Sequence, residues 1–398
     1  MHYPALSLAL LTCAGTSLAA PYARAVNETK PYSTWMATSF LSKGQKINRH
    51  YVPNVVNEGV YKAAALHKDD FLFSYASDQI SSLIAENGTI IGWNSTYYSV
   101  DDLRVGNNIL YFWDAEGRTS EKHKKAATDL RKQIDRWPRT PSGGFWHRDP
   151  IYANQMWLDG IYMADTFYAT YTSFFEPDNI TAWEDIALQF DLIDERTRNT
   201  TTNLLVHGYD ESKTAIWADP ETGAAPNVWD RAVGWYFMAL VEVLQVYPKE
   251  LPGYGRLLEY LTKLADGVKQ AQDASGGWWL VMNEPYPGME GNYIESSGTA
   301  MFTYGYLKGI RTGLLEESYR ETANKGWDAL LDDFIIYEKN GTLTLDGTVR
   351  VGSLNSNGTF EYYIGVNVDL NDGKGAGPFM FAATEIEQHA ANLTARRF

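Results

Sequence analysis

The stretch richest in chemistry is residues 143–168, GGFWHRDPIYANQMWLDGIYMADTFY. Pro141 and the Gly143-Gly144 pair signal a turn, and Pro150 stands just ahead of a predicted helix. Asp159 falls in that helix. Gln155 lies four residues before it, with Tyr162 three and Met163 four after, so helical spacing puts all of them on its face. A carboxyl group among Trp, Tyr and Met side chains has its charge disfavoured by burial, which predicts a raised pKa. That is the property a general acid needs near neutral or mildly acidic pH. A buried aspartate that caps a neighbouring helix or pairs with an arginine would leave the same pattern.

Three further segments carry candidate groups. In YSVDDLRVG, residues 98–106, Asp101 and Asp102 sit at a predicted helix start. Ser99 with Asp102 matches a capping box there, so these acids could serve the helix alone. His207 stands in LLVHGYD. In WDRAVGW, Arg231 and Trp235 are an i,i+4 pair, able to hold a carboxylate and stack a sugar ring from one helical face. Arg231 could instead form a salt bridge to Asp230 or another acid.

Composition narrows the partners. A net charge of −15 argues against nucleic acid, whose phosphates call for a basic surface. No run of Lys or Arg points to an anionic membrane. Aromatic residues reach 14%, with 13 Trp and 26 Tyr. Sugar rings stack on aromatic faces, and a helical core filled with Tyr and Trp would show the same content. Residues 5–14 form an apolar run followed by Ser17, Ala19 and Ala20, which predicts a secretory signal over residues 1–20. That run is too short for a membrane anchor. Sequons at Asn27, Asn87, Asn94, Asn179, Asn199, Asn340, Asn357 and Asn392 agree with a secreted, extracellular protein. Cys13, the one cysteine, lies in the signal, so the mature chain has no disulfide and no thiol nucleophile. No His/Cys cluster suggests a metal, and no cofactor is expected.

The elements that must hold these groups are helical. Amphipathic segments separated by brief Gly, Pro, Asn or Asp breaks fall at 32–43, 54–68, 69–86, 101–115, 119–136, 153–173, 180–198, 228–247, 252–273, 296–315, 317–337 and 376–391. Val60, Ala63, Ala64 and His67 show the 3.6-residue period, as do Leu240, Val243, Leu244 and Tyr247. Residues 342–351 and 359–368 read as a small hairpin-like excursion. Paired as six αα-hairpins and closed into a ring, these segments give an all-α (α/α)6 barrel over residues 21–398, with inner helices around an axial funnel. An open helical array is the alternative, but the chain shows no capping repeats.

FWHRDPIYANQMWLDGIYMA resembles the signature of glycoside hydrolase family 105, the unsaturated rhamnogalacturonyl hydrolases. YSVDDLRVGNNILYFW, LLVHGYD, WDRAVGW, ESSGTAMFTYGYLKG and NDGKGAGPFMFAATE follow that family's other blocks in order, so the likeness spans residues 33 to 391. The resemblance implies the barrel fold and a substrate oligosaccharide with a 4,5-unsaturated uronic acid at its non-reducing end. It implies that Asp159 is the general acid/base and Asp101 the second active-site aspartate. It places His147, His207, Trp229, Arg231 and Trp235 in the substrate pocket, to which the helical spacing adds Gln155. The chain departs from the pattern at Asp149-Pro150, which adds a residue, and at Arg104, which replaces a small or polar one. Both are expected to shape the pocket rim. A family 88 unsaturated glucuronyl hydrolase, a lyase of the same fold and a non-catalytic sugar-binding protein are the rival readings.

Overall fold

The computed structural model describes residues 30–44 and 46–391. The expected signal, Cys13, Asn27 and Asn392 lie outside them. From Pro31 onward the described chain packs as one unit.

Each of the twelve predicted segments contains a helix. In chain order they are α1 (Tyr32–Ser42), α2 (Tyr51–His67), α3 (Asp70–Ser81), α4 (Val105–Ala115) and α5 (Glu121–Ile134). A short strand β1 (Gln155–Trp157) leads into α6 (Leu158–Gly160), a π-helical turn (Ile161–Asp165) and α7 (Thr166–Phe175). Then come α8 (Ile180–Thr197), strand β2 (Gly208–Asp210), α9 (Asp230–Val243), α10 (Pro252–Gln270), α11 (Ser296–Arg311) and α12 (Arg320–Ala329). The chain ends with β3 (Ile335–Tyr337), β4 (Leu343–Leu345), β5 (Thr348–Val349), α13 (Phe360–Ile364), β6 (Val368–Asp369) and α14 (Gly373–Ala390).

Polar caps set many of these starts. Asp69 Oδ1 accepts from Leu72 N at 3.0 Å, Ser120 caps α5, Asn179 caps α8 and Asp372 caps α14. Six helices pack in a closed cycle: α2 on α4, α4 on α7, α7 on α9, α9 on α11, α11 on α14, and α14 back on α2. The outer helices α1, α3, α5, α8, α10 and α12 each lie against an inner neighbour. The ring therefore closes, and the open array is excluded. Helices α9, α11 and α14 are buried on nearly every side, as an inner layer must be. Two glycines let them approach. A Cβ on Gly234 would meet Met301 Sδ at 2.6 Å, and one on Gly377 would meet Val55 Cγ1 at 2.6 Å.

The fold departs from expectation in three places. Residues 153–157 do not begin the catalytic helix, because Gln155, Met156 and Trp157 pair antiparallel with Asp210, Tyr209 and Gly208. Residues 335–337 leave the eleventh segment as a strand paired with 343–345. In the hairpin-like excursion only 348–349 and 368–369 pair, and α13 sits between them.

Candidate active site

Backbone pairing brings the candidate residues together. Leu158 N donates to His207 O at 3.0 Å, so β1 and β2 deliver Asp159 and His207 side by side. His147 N donates to Gln155 O at 2.8 Å, and Val100 N donates to His147 O at 3.2 Å. The segment carrying Asp101 thereby lies against the one carrying His147, which in turn lies against β1. Residues far apart in sequence are fixed here by main-chain hydrogen bonds, which hold a site more tightly than loose loops could.

Asp159 is 17% exposed, and its Oδ2 lies 3.1 Å from His207 Nε2. His207 is fully enclosed, and its Nδ1 lies 2.7 Å from the Tyr363 hydroxyl. Burial pushes Tyr363 well above its ordinary pKa, so its hydroxyl stays protonated beside Nδ1. An ionised carboxylate only accepts, so His207 Nε2 donates to Asp159. Burial acts to raise the Asp159 pKa, but the His207 hydrogen bond and the fields of His207 and His147 outweigh it and hold the carboxyl below its ordinary range. The expected raised pKa of Asp159 is thus corrected, because a hydrogen-bond donor 48 residues away in the chain settles the balance.

The raised group is Asp101. Burial lifts its pKa from 3.8 to about 6, against the pull of the Arg148 guanidinium and with help from the Asp159 and Asp102 charges. Arg148 Nη2 donates to Asp101 Oδ2 at 2.6 Å, and its Nε donates to Ser99 Oγ at 3.0 Å. The capping box read from Ser99 and Asp102 is not built: Ser99 makes no side-chain cap, and Asp102 pairs with Arg49. Folded Asp101 keeps its proton while the unfolded chain loses it. Its contribution to stability is therefore full below pH 3.8 and is lost as pH rises through about 6. Asp101→Asn, permanently neutral, should be more stable than wild type at pH 7 by roughly 3 kcal/mol, at about 1.4 kcal/mol per pKa unit. Near pH 4 the advantage should vanish. Denaturant unfolding at the two pH values checks this, and equal stability at both would show that Asp101 is not strained by its burial.

Aromatic rings wall the site. His147 stacks on Trp157 with centroids 4.1 Å apart, and Tyr152 packs on the same indole at 4.4 Å. Trp229 lies against His207 at 4.9 Å and against Tyr363 at 5.9 Å. Tyr51, at the start of α2, feels the charges of both Asp101 and Asp159 and sets its ring edge-on to Trp235. Gln155 is not on the Asp159 face. It belongs to the strand, and its Oε1 accepts from Trp157 Nε1 at 3.1 Å, orienting the indole that carries His147. Arg104 is not at the rim either. It is buried, donates to the Tyr162 hydroxyl at 2.9 Å and to Thr166 Oγ1 at 2.8 Å, and pairs with Glu58.

Arg231 and Trp235 are also placed differently from expectation. Arg231 is 0% exposed, and Trp235 is 1% exposed with its ring stacked on Tyr162 at 4.9 Å. Arg231 Nη1 donates to Val349 O at 2.7 Å and to Ser297 Oγ at 3.2 Å, while Nη2 donates to Arg350 O at 2.8 Å. Glu295 lies 3.8 Å from it, and the guanidinium covers the Trp229 ring at 4.7 Å. Bonds from its two terminal nitrogens tether β5 to the inner ring, while its buried Nε makes none. Arg231→Met should therefore cost about 3–5 kcal/mol of stability, because it leaves the enclosed Glu295 without its cation. Thermal unfolding measures it. Unchanged stability with a raised KM would return Arg231 to the substrate.

Tyr363, Arg148 and Tyr51 are members of this constellation that sequence reasoning missed, and Trp157 entered it only as a neighbour that buries Asp159. Arg148 lies within the chemically dense segment, where it could have been found. Tyr363 is 156 residues from its partner His207, with no local signal.

The comparisons with known proteins bear on the family and the fold. The sequence model of Glycosyl Hydrolase Family 88 matches residues 25–390. The solved structure of a family 105 glycoside hydrolase from C. acetobutylicum ATCC 824 is 37% identical, with a TM-score of 0.85 over 90% of this chain and 100% of that one. Protein Atu3128 of Agrobacterium fabrum is 37% identical over 192 residues, 46% of this chain and 81% of its own length. The unsaturated rhamnogalacturonyl hydrolase YesR of Bacillus subtilis is 22% identical over 59% of this chain and 63% of its own.

Proposed function

The chain belongs to glycosyl hydrolase family 88, and from that we propose that it removes a terminal 4,5-unsaturated uronic acid from lyase-generated oligosaccharides, within the family 105 branch. The observation that carries this reading is the Asp159–His207–Tyr363 chain set beside a protonatable Asp101. Pectin-type and related polysaccharides supply such substrates, with galacturonyl or glucuronyl ends.

The C4=C5 bond of the terminal ring is an enol ether. Asp159 protonates C4, and the ring oxygen stabilises the positive charge that develops at C5. Asp159, now a carboxylate, takes a proton from water as its oxygen adds to C5. The hemiketal opens to a 5-keto sugar, and the bond to the next sugar breaks. One carboxyl group serves as acid and then as base. This differs from glycosidases that place two carboxylates across the scissile bond.

Below about pH 6 the proton in the free site rests on Asp101, while Asp159 is held toward its ionised form. A bound uronate brings a second negative charge and excludes water, and both effects raise the Asp159 pKa toward that of a working acid. His207 holds the carboxylate form between the two steps. With Arg231 enclosed, Arg148 is the cation beside Asp101 that meets the uronate carboxylate. Following the enol-ether absorbance of an unsaturated uronide tests this function. A lyase would create that absorbance and a sugar-binding protein would leave it alone.

We also propose that the protein is secreted. The support is the apolar N-terminal run and the placement of the sequons. Asn87, Asn94, Asn199, Asn340 and Asn357 are exposed, and each Oδ1 accepts from the main chain two residues on, which leaves Nδ2 outward. Asn179 instead spends its Nδ2 on Glu176 at 3.0 Å. Peptide mapping of protein from a secreting eukaryotic host should find glycans at the five exposed sites and little at Asn179. Full occupancy at Asn179 with bare exposed sites would contradict this.

A further inference from the structure

Asp165 is a buried acid that the proposed reaction does not use. It closes the π-helical turn that follows Asp159, is 1% exposed, and neither carboxyl oxygen has a hydrogen-bond partner. His147 is 5% exposed, and its Nδ1 likewise has no partner. Both side chains line one small cavity, walled otherwise by apolar groups such as Val100, Phe145, Met156 and Ile161. It has room for about one water. Two enclosed, unsatisfied polar groups on one cavity are costly unless something joins them.

The neighbours of Asp165 do not satisfy it. Arg139 and Asp185 act on it through their charges. Arg139, however, spends its Nη1 on Asp185 at 2.5 Å and on Gly143 O at 2.9 Å, and its Nη2 on Asp185 at 2.8 Å. His147 Nδ1 is also hemmed in from the helix side. A Cβ on Gly160 would stand 3.3 Å from it, so a side chain there would require the imidazole to give by a few tenths of an ångström.

We propose that the cavity holds a water that joins the Asp165 carboxyl to His147 Nδ1, fixing the imidazole as its Nε2–H tautomer and making Asp165 a positioning residue for the reaction. Burial pushes the Asp165 carboxyl well above its ordinary range, so it is an O–H donor at working pH. Burial also takes His147 down to about 3, so the ring is neutral and has one N–H. The water accepts from Asp165 and donates to Nδ1, which puts the ring proton on Nε2. The Asp159 carboxylate is near enough to feel a charge on His147, and under this proposal the neutral ring offers that carboxylate, or the sugar beside it, its Nε2–H. A π-turn at this point fits a helix re-aimed for function.

The catalytic consequence rests on the function proposed above, whereas the tautomer does not. Nitrogen NMR of protein labelled with 15N-histidine reads the tautomer without substrate, with the His147 signals assigned by their loss in His147→Gln. Wild type should show an unprotonated, accepting Nδ1 and a protonated Nε2. Asp165→Leu fills the cavity and excludes the water. It should shift the ring to a mixture of tautomers and lower kcat by about 10–100-fold with little change in KM. Asp165→Asn keeps a donor and should restore both the tautomer and most of kcat. A protonated Nδ1 in wild type overturns the proposal. So does a Leu variant with the wild-type tautomer, whether its stability falls or holds. Absence of activity on every uronide, with the tautomer shift intact, would refute the proposed function and leave the water bridge standing.

Discussion

Asp159→Asn is expected to stop turnover while leaving the fold in place. The residue follows β1 directly, and its carboxylate sits on the His207 imidazole. Asn keeps the volume and can still meet His207 through its amide oxygen. It can neither give a proton to C4 nor take one from water. Loss of a general acid/base lowers rates by about 10²–10⁴-fold, and a group used in both steps should exceed that range. Substrate affinity should be little altered, because the aromatic walls do not change. Purified Asp159→Asn with near wild-type kcat would remove Asp159 from the chemistry. Loss of binding with normal kcat would make it a substrate contact only.

A saturated uronide of the same linkage should be inert. It has no C4=C5 bond to protonate, so the route through C5 is closed whatever its affinity. The difference from the unsaturated substrate is expected to be complete within detection, larger than any single substitution produces. A rival glycosidase that protonates the glycosidic oxygen would cleave both. Product release from matched saturated and unsaturated disaccharides checks this, and comparable rates would return the protein to ordinary glycoside hydrolysis.

The helical ring was legible because its signal is local. The 3.6-residue period in 54–68 or 228–247 and the breaks between segments are written in neighbouring residues, and all twelve appear. Closure was inferred from the lack of caps, and α14 packing on α2 bears it out. What sequence could not show is set by pairs distant in the chain. Gln155–Trp157 are a strand only because residues 208–210 lie alongside. The Asp159 neighbours Trp157, Tyr162 and Met163 foretold burial, but the sign of its pKa shift belongs to His207. For Arg231 and Trp235 the i,i+4 spacing was legible but their enclosure was not, because local sequence does not show which side chains of a helix as buried as α9 are sealed by distant segments. Arg104, expected at the rim, is an interior strut for Tyr162 for the same reason.

The carboxylate pair ties these observations to the reaction. Asp101 holds a proton to about pH 6 while Asp159 does not, so two acids a few side chains apart are already divided between roles before substrate arrives. Environments that push two pKa values apart are the usual mark of an acid–base site.

The most direct test is to add the purified protein to an oligosaccharide carrying a 4,5-unsaturated uronic acid and follow the ultraviolet absorbance of its enol ether. The proposed hydration predicts that the absorbance falls, with release of one 5-keto sugar per double bond lost. An absorbance that rises from saturated polysaccharide, or one that stays constant while the terminal sugar is released, would contradict it.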